Sequence, residues 1–294
     1  MAKRYAYYPG CSLSSTAQEY DISTRAVFAR LGLELHELED WNCCGATHSA
    51  IYKGDARFML SLRNLALAEA QGFDTIIAPC SACYKNLRRA AKLADADKAL
   101  CARINAEMKE PYSGAGHVTV LHPLYAIIRD YGLDTLKKQV VRPLTGIKIA
   151  SYYGCMLTRP ADEFDSAERP TGLDRLVKAL GAEPVDYADK AKCCGGALAL
   201  SHTRSTVRLT GKILASAKRR GAEAVMLACP MCHMALDMYQ DKAARAIGQS
   251  LNLPVLFFTQ WMGLALGIEP EQLGLARHMV PTAGIVARVR AMKM

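Results

Sequence analysis

Short apolar runs alternate along this chain with longer segments whose apolar residues recur every three or four positions. The runs predict strands at residues 5–8, 75–78, 148–153, 224–228 and 255–258. The three- and four-residue spacing predicts helices at residues 17–31, 57–71 and 203–220. Strands that alternate with amphipathic helices are typical of α/β proteins. We therefore expect an α/β fold.

The most apolar stretch, residues 251–268, is 18 residues long and contains polar residues such as Asn252 and Gln260. This is too short and too polar for a membrane span, so we expect a strand followed by a core helix from Thr259. No apolar run of signal-peptide length follows the first four residues. We expect a cytoplasmic protein without a transmembrane segment, for which peripheral association through a membrane-attached complex stays compatible.

Ten of the eleven cysteines fall into two copies of one pattern. Each copy has a single cysteine, then Cys-Cys-Gly, then Cys-x-x-Cys. The first copy comprises Cys11, Cys43, Cys44, Cys80 and Cys83. The second comprises Cys155, Cys193, Cys194, Cys229 and Cys232. Two matching copies are much stronger evidence for a binding site than a lone Cys-x-x-Cys, and only Cys101 lies outside them.

Equivalent cysteines in the two copies are 144 to 150 residues apart, which predicts an internal duplication. We expect two similar α/β domains, residues 1–142 and 143–294, joined near residues 137–146, where Pro143 and Gly146 interrupt the pattern. The chain length allows two domains of this size.

Four of the cysteines follow predicted strands. Cys11, Cys80, Cys155 and Cys229 each stand just beyond a strand's carboxyl end, which is the edge where α/β sheets bind ligands. Helices are expected to begin at Cys80 and Cys229, and their amino ends would stabilise thiolates and anionic groups.

Five thiols in each copy favour a multi-iron cluster. Soft thiolates select zinc, cuprous copper or iron–sulfur clusters, and a tetrahedral zinc ion takes only four ligands. Zinc in one or both copies, and buried cysteines that act as small hydrophobic residues, remain as alternatives.

The net charge of +9 fits bound metal. Ten thiolates and two cluster cores of about +2 each would bring the loaded protein to about +3, because ligands ionise when they bind metal. The basic excess is therefore poor evidence for nucleic acid, and we expect no such partner. The chain has no G-x-G-x-x-G or P-loop sequence, so no nucleotide site is expected.

The twin motifs resemble the CCG-domain signature, and further runs resemble the B subunit of heterodisulfide reductase. These runs are Tyr8-Pro9-Gly10-Cys11, the segment from Trp41 to Thr47, and the segment from Pro254 to Gly267. The resemblance covers essentially the whole chain. It implies that each set of five cysteines holds one non-cubane [4Fe-4S] cluster, with some thiolates bridging two irons.

The resemblance also implies a catalytic subunit that reduces or forms a disulfide by one-electron steps at the two clusters, with the substrate entering between them. The implied partners are a protein with cubane [4Fe-4S] clusters, similar to the C subunit of the same complex, and a flavoprotein similar to its A subunit. The alternative is an electron-relay or anchor subunit of a succinate or fumarate reductase that works with quinone. Complete cysteine sets in both halves favour the first.

Other candidate residues are weaker. His233 directly follows Cys232 and is a weak catalytic candidate as a proton donor, although a surface or capping role is the simpler interpretation. His48, His122 and His202 are expected to be hydrogen-bonding or capping residues rather than ligands. Among the basic residues, Lys190 and Lys192 are the best placed to bind an anionic substrate arm or an acidic partner.

Overall fold

A computed structural model describes residues 3–46, 54–114, 116–159 and 165–292. The strands are β1 (Arg4–Tyr7), β2 (Glu34–Glu37), β3 (Thr75–Ile77), β4 (Thr119–Leu121), β5 (Lys148–Tyr152), β6 (Glu183–Val185), β7 (Ala224–Leu227) and β8 (Val255–Phe257).

The α-helices are α1 (Gly10–Leu13), α2 (Gln18–Arg30), α3 (Ala56–Ala70), α4 (Ser81–Ala96), α5 (Lys98–Asn105), α6 (Pro123–Ala126), α7 (Leu133–Gln139), α8 (Gly172–Ala179), α9 (Thr203–Arg219), α10 (Pro230–His233), α11 (Gln240–Ile247), α12 (Phe258–Ala265) and α13 (Ala283–Ala291). Two π-helical segments, Ile127–Gly132 and Met234–Met238, continue α6 and α10. The short 3₁₀ segments are Gly196–Leu198, Pro270–Leu273 and Leu275–Arg277.

The strands form two parallel sheets with the same order. The first sheet is β2-β1-β3-β4, and the second is β6-β5-β7-β8. Neighbouring strands of both sheets pair in parallel throughout the described residues, from β1 with β2 to β7 with β8. Central strands of such sheets are covered on both faces, which explains why β3 and β7 are continuously apolar and fully buried. The repeated strand order confirms the expected α/β fold with an internal duplication.

The chain divides into two compact units. The first contains Met1–Ala17 and Phe28–Pro123, and the second contains Gln18–Val27 and Leu124–Met294. Most of α2 thus belongs to the second unit, where Tyr20 stacks on Phe257 with ring centroids 4.1 Å apart. The division at residues 142 and 143 stays a prediction for the domain boundary.

The apolar stretch of residues 251–268 forms β8 and α12, as predicted. All residues of α12 are buried, which a helix in the core of a unit requires. In the described ranges, no helix combines the length and the apolar character needed to cross a bilayer.

Candidate functional site

The ten motif cysteines collect at the carboxyl edges of the two sheets. Cys11 and Cys80 follow β1 and β3, the two central strands of the first sheet, and Cys155 and Cys229 follow β5 and β7 of the second. The predicted position of these four residues is confirmed. Cys83 and Cys232 then lie on the helices that begin after Cys80 and Cys229, each of which is the residue that caps its helix.

In the first set, sulfur atoms lie in direct contact. The Sγ atoms of Cys44 and Cys83 are 3.3 Å apart, and the Gly45 amide donates to Cys43 Sγ at 3.4 Å. Gly10 adopts a left-handed conformation with φ +66°, and a Cβ atom there would lie 3.1 Å from Cys83 Sγ. The backbone before Cys11 therefore approaches the sulfur cluster more closely than a side chain would allow.

The second set repeats this geometry. The Sγ atoms of Cys194 and Cys232 are 3.4 Å apart, and Gly154, with φ +66°, would place a Cβ atom 3.0 Å from Cys232 Sγ. The amides of Gly195 and Gly196 donate to the sulfurs of Cys193 and Cys194, both at 3.3 Å. The predicted close approach of this glycine pair to the sulfur atoms is confirmed.

A buried tyrosine holds each Cys-Cys segment in place. The Tyr8 hydroxyl donates to the carbonyl of Asn42 at 2.8 Å, and the Tyr152 hydroxyl donates to the carbonyl of Lys192 at 2.6 Å. Each carbonyl belongs to the residue before the Cys-Cys pair, and each tyrosine stands three positions before the first cysteine of its set. The two tyrosines are therefore equivalent positioning residues.

Burial differs within each set in the same way. Cys44, Cys80 and Cys83 are buried, whereas Cys11 and Cys43 are exposed. In the second set the three equivalent residues, Cys194, Cys229 and Cys232, are buried as well. Cys193 is exposed and Cys155 partly so, which leaves each set accessible from one side.

Neighbouring thiols perturb one another's ionisation. Hydrogen bonds from the Cys43 and Cys83 thiols lower the pKa of Cys44 to about 4, and the Cys155 thiol lowers the pKa of Cys193 to about 6. The pKa of Cys232 rises well above its usual value, because its thiol donates to Cys194 and Cys229 and is buried. Each set thus favours a thiolate among thiols that stay protonated, and only nearby positive charge would ionise all five.

Both donor sets fit an iron–sulfur cluster. Two sulfurs bound to one tetrahedral ion by bonds of about 2.3 Å lie roughly 3.8 Å apart, so both close pairs suit a shared metal. None of the eleven cysteines, all of which the structure describes, is in a disulfide. Five soft donors exceed what one zinc ion takes, and the amide donors to sulfur are typical of iron–sulfur sites.

Comparison with known proteins extends the geometry. The model of the cysteine-rich domain, CCG, matches residues 5–88 and 149–237. The chain belongs to the CCG family. The two matches coincide with the two cysteine sets and their sheets, so each half is one CCG domain.

Full-length relatives include proteins of two kinds. The membrane anchor subunit of 8-methylmenaquinol:fumarate reductase from Wolinella succinogenes is 35% identical over 285 residues, which cover 95% of this chain and 98% of that protein. The B subunit of a ferredoxin/F420H2-dependent CoB-CoM heterodisulfide reductase from Methanosarcina acetivorans is 30% identical, covering 98% and 97%. A heterodisulfide reductase protein of the B-subunit-like type from Archaeoglobus profundus is 28% identical, covering 92% and 93%. The resemblance to the B subunit of heterodisulfide reductase is thus confirmed.

One solved structure shares the fold. A hypothetical protein from Helicobacter pylori superimposes with a TM-score of 0.75 and 16% identity. The match covers 95% of this chain but only 52% of that one, so this chain spans about half of its length. At this identity the likeness concerns the fold alone.

In this CCG protein His233 lies in a buried cluster of the second unit. Its Nε2 is 3.0 Å from Nδ1 of His278, and its Nδ1 is 3.7 Å from the Glu19 carboxylate. Burial lowers the pKa of His233 to about 3, so the ring is neutral near pH 7. The catalytic role of His233 stays a prediction.

His233, His278 and Asp237 come close enough together to suggest a metal site, but the hydrogen bonds argue against one. Gln260 accepts from the Phe257 amide with Oε1, so its amide nitrogen faces Nε2 of His278 at 2.9 Å. Nε2 of His278 must then accept, and its Nδ1 keeps a proton for His233. The ring nitrogens that a metal would need are occupied.

The two favoured lysines are paired with carboxylates. Lys190 bridges Asp174 and Asp186 at 3.0 and 3.2 Å, and Lys192 pairs with Asp189 at 2.6 Å. Their charges are thus offset locally, and their role in binding an anionic substrate arm stays a prediction.

Several other candidates have structural surroundings. His122 donates to the carbonyl of Pro79 at 2.8 Å, which is the expected hydrogen-bonding role. His202 precedes α9, whereas His48 lies outside the described residues. Cys101 is buried, and burial raises its pKa, as suits the structural role expected of it.

Sequence reasoning missed the residues that hold the Cys-Cys segments. Besides the tyrosines, Ser61 donates to the carbonyl of Cys44 at 3.0 Å, and Asn64 exchanges two hydrogen bonds with the backbone of Asn42. Asn64 is fully buried within α3. A polar residue at an otherwise apolar helix position was the signal that could have found it.

Proposed function

We propose that this chain is the iron–sulfur subunit of a heterodisulfide reductase-like complex that reduces or forms a disulfide. Each set of five cysteines would hold one non-cubane [4Fe-4S] cluster: Cys11, Cys43, Cys44, Cys80 and Cys83 the first, and Cys155, Cys193, Cys194, Cys229 and Cys232 the second. The observation that supports this most is that both sets are complete and repeat one geometry, down to sulfur contacts of 3.3 and 3.4 Å.

Such clusters supply one-electron transfer, and cleavage of a disulfide takes two electrons. Two complete sets in one chain match this stoichiometry. A protein kept only as an electron relay would tolerate the loss of ligands from one set, whereas this chain keeps all ten.

The chain's own residues divide the work within each set. The buried cysteines anchor the group, while Cys11 and Cys43, and in the second set Cys155 and Cys193, stand on the side that solvent and substrate can reach. Tyr8 holds the backbone ahead of its Cys-Cys pair, which fixes where the accessible sulfur points. The amino end of α4, directly after Cys80, favours the negative charge that thiolates bring.

The partners we propose are a cubane-cluster protein similar to the C subunit of heterodisulfide reductase, and a flavoprotein similar to its A subunit, which would deliver electrons. The substrate class is a small disulfide or its thiols. We propose the cytoplasm as the location, because unpaired cysteines in this number persist in a reducing compartment.

Metal analysis of the anaerobically purified protein tests the cofactor. We expect about eight irons per chain and no stoichiometric zinc, four irons for each five-thiol set. The variants Cys44→Ala and Cys194→Ala should each retain about half of the iron. Cys101→Ala, a buried cysteine outside both sets, is the matched control and should retain all of it. Roughly four irons with one zinc in the unaltered protein would contradict the proposal.

Catalysis is tested by anaerobic titration with a mixed disulfide of two thiols, followed by electron paramagnetic resonance. A new paramagnetic signal that broadens when the disulfide carries ³³S supports disulfide chemistry. A spectrum that the disulfide leaves unchanged contradicts it, even if the iron content is as expected.

A second candidate is an anchor or relay component of a fumarate reductase-type complex. Its specific support is the 35% identity to the Wolinella membrane anchor subunit over nearly the full length of both proteins. Affinity purification from the native host separates the two. Recovery of a fumarate reductase flavoprotein, with reduction of the iron signals by a quinol, favours this candidate.

A further inference from the structure

The positive charge of the chain is concentrated in two neighbouring helices. Residues 203–220 and 240–250, which include α9 and α11, carry eight basic side chains and one acidic one. They account for seven of the nine net positive charges of the whole protein. The other residues, more than nine-tenths of the sequence's acidic groups among them, are close to neutral. Metal ligation elsewhere in the chain does not explain this segregation.

The cations of α9 share one face. Arg204, Arg208 and Lys212 are four residues apart, a spacing that aligns side chains along a helix. All three are exposed, and within the described chain none makes an ion pair or side-chain hydrogen bond. The helix is 17 residues long and contains no acidic residue, so this stripe runs along a helix of roughly 25 Å.

Helix α11 lies against α9 and extends the basic surface. The backbone of α9 comes so close at Gly211 that a Cβ atom there would lie 2.8 Å from Ile247 Cγ2 of α11. Lys242 and Arg245 of α11 are exposed. We call Arg204, Arg208, Lys212, Lys242 and Arg245 the basic face.

Exposed apolar side chains lie at the amino ends of the same two helices. Leu198 and Leu200, which precede α9, are 44% and 94% exposed, and Met238, which precedes α11, is 56% exposed. The Tyr239 hydroxyl is 3.5 Å from the carbonyl of Ala199, which joins the two segments. We call Leu198, Leu200 and Met238 the apolar rim.

We propose that the basic face and the apolar rim dock this protein directly onto an anionic lipid bilayer. Basic side chains beside exposed aliphatic ones are the combination that holds a protein at a membrane surface, the cations on lipid phosphates and the leucines between acyl chains. A protein partner is the weaker match, because specific protein interfaces fix their register with charges of both signs and centre on aromatic residues. The surface lies outside the cysteine sets, so the proposal does not rest on the proposed function.

Vesicle co-sedimentation of the full-length protein tests the docking. With vesicles of three parts phosphatidylcholine and one part phosphatidylglycerol at about 0.1 M salt, we expect binding that weakens steeply at about 0.5 M salt. Vesicles of phosphatidylcholine alone should bind little. The triple variant Arg204→Gln/Arg208→Gln/Lys212→Gln should bind roughly a hundredfold more weakly, at about fivefold for each cation.

A matched control removes the same charge elsewhere. Lys109, Lys137 and Lys138 are exposed, and Lys109→Gln/Lys137→Gln/Lys138→Gln should bind as the unaltered protein does. The variant Leu198→Ser/Leu200→Ser should bind at least tenfold more weakly, since it exposes no new apolar surface but removes the inserted one. Circular dichroism and melting curves establish that each variant is folded.

Equal loss of binding in both triple variants would overturn the proposal, because net charge rather than this face would then be responsible. Unchanged binding of the leucine variant would overturn the inserted apolar rim. Absence of binding to anionic vesicles, together with retention of the protein on an acidic partner protein, would assign the face to a protein instead. All three readouts are independent of iron content, so they fail or succeed separately from the proposed function.

Discussion

Alanine at Gly154 should eject the second cluster while leaving the first in place. Gly154 has φ +66°, and a Cβ atom would lie 3.0 Å from Cys232 Sγ. That separation is shorter than nearly all contacts of real Cβ atoms. Cys232 is buried, so its sulfur has little room to retreat. The added methyl group therefore competes with the position that a metal-bound sulfur must keep.

The size of the effect has two parts. A non-glycine residue in the left-handed region costs about 1–2 kcal/mol, wherever it occurs. Overpacking against a buried neighbour adds about 1–3 kcal/mol. Gly221 isolates the first part, because its φ is +85° and no atom lies within 4 Å of its ideal Cβ position. Gly154→Ala should thus destabilise the protein by about 1–3 kcal/mol more than Gly221→Ala.

The assay combines iron analysis with urea unfolding of anaerobically purified protein. We expect about four irons per chain in Gly154→Ala and about eight in Gly221→Ala. Gly10→Ala, whose Cβ would lie 3.1 Å from Cys83 Sγ, should lose the other half, with Gly72→Ala as its control. Full iron in Gly154→Ala, or equal destabilisation by Gly154→Ala and Gly221→Ala, would refute the role given to this close approach.

Three further changes test the surrounding structure. Tyr152→Phe removes a buried hydrogen bond and should cost about 1 kcal/mol in urea unfolding, with faster loss of iron to a chelator; unchanged values would contradict the tether. Gly263→Ala drives a methyl group into the side chain of Leu273 and should cost about 1–3 kcal/mol, whereas Gly284→Ala, which meets nothing within 4 Å, should be neutral or stabilising. Burial lowers the pKa of His278 to about 4, so the neutral ring stabilises the fold above about pH 6.5, and this contribution is lost as the unfolded chain takes up protons at lower pH. His278→Gln should therefore reduce the loss of stability between pH 7 and 5 by about 1–2 kcal/mol, and an unchanged pH dependence would contradict a neutral buried ring.

The site was predictable because its signal is local and chemically specific. Cysteine has few roles in a reducing compartment, and Cys80 and Cys229 stand where a continuous apolar run ends. Such runs are reliable signs of central parallel strands, so the position of both residues at a sheet edge followed.

The edge strands lacked such a signal. Residues of β2 are mostly exposed, and β6 contains Pro184, which a strand tolerates only at an edge. Pairing with a buried neighbour, rather than local propensity, makes these residues strands.

Long-range packing was also beyond periodicity. Helix α2 follows Cys11 in the chain, yet Ser23 hydrogen-bonds to Thr259 at 2.7 Å, a partner 236 residues away. The pattern of α2 predicts a helix with a buried face but does not specify what covers that face. Local charge pairs were hidden likewise, since Lys190 looks free in the sequence and bridges Asp174 in the fold.

The uneven burial of the two cysteine sets has a consequence for survival in air. A side open enough for a substrate's sulfur is open to dioxygen and peroxide as well, and these oxidise accessible thiolates first. Cys43 and Cys193 should therefore be the earliest casualties of aeration, while Cys83 and Cys232 are shielded. Damage would begin where turnover takes place, and activity would vanish before the fold does.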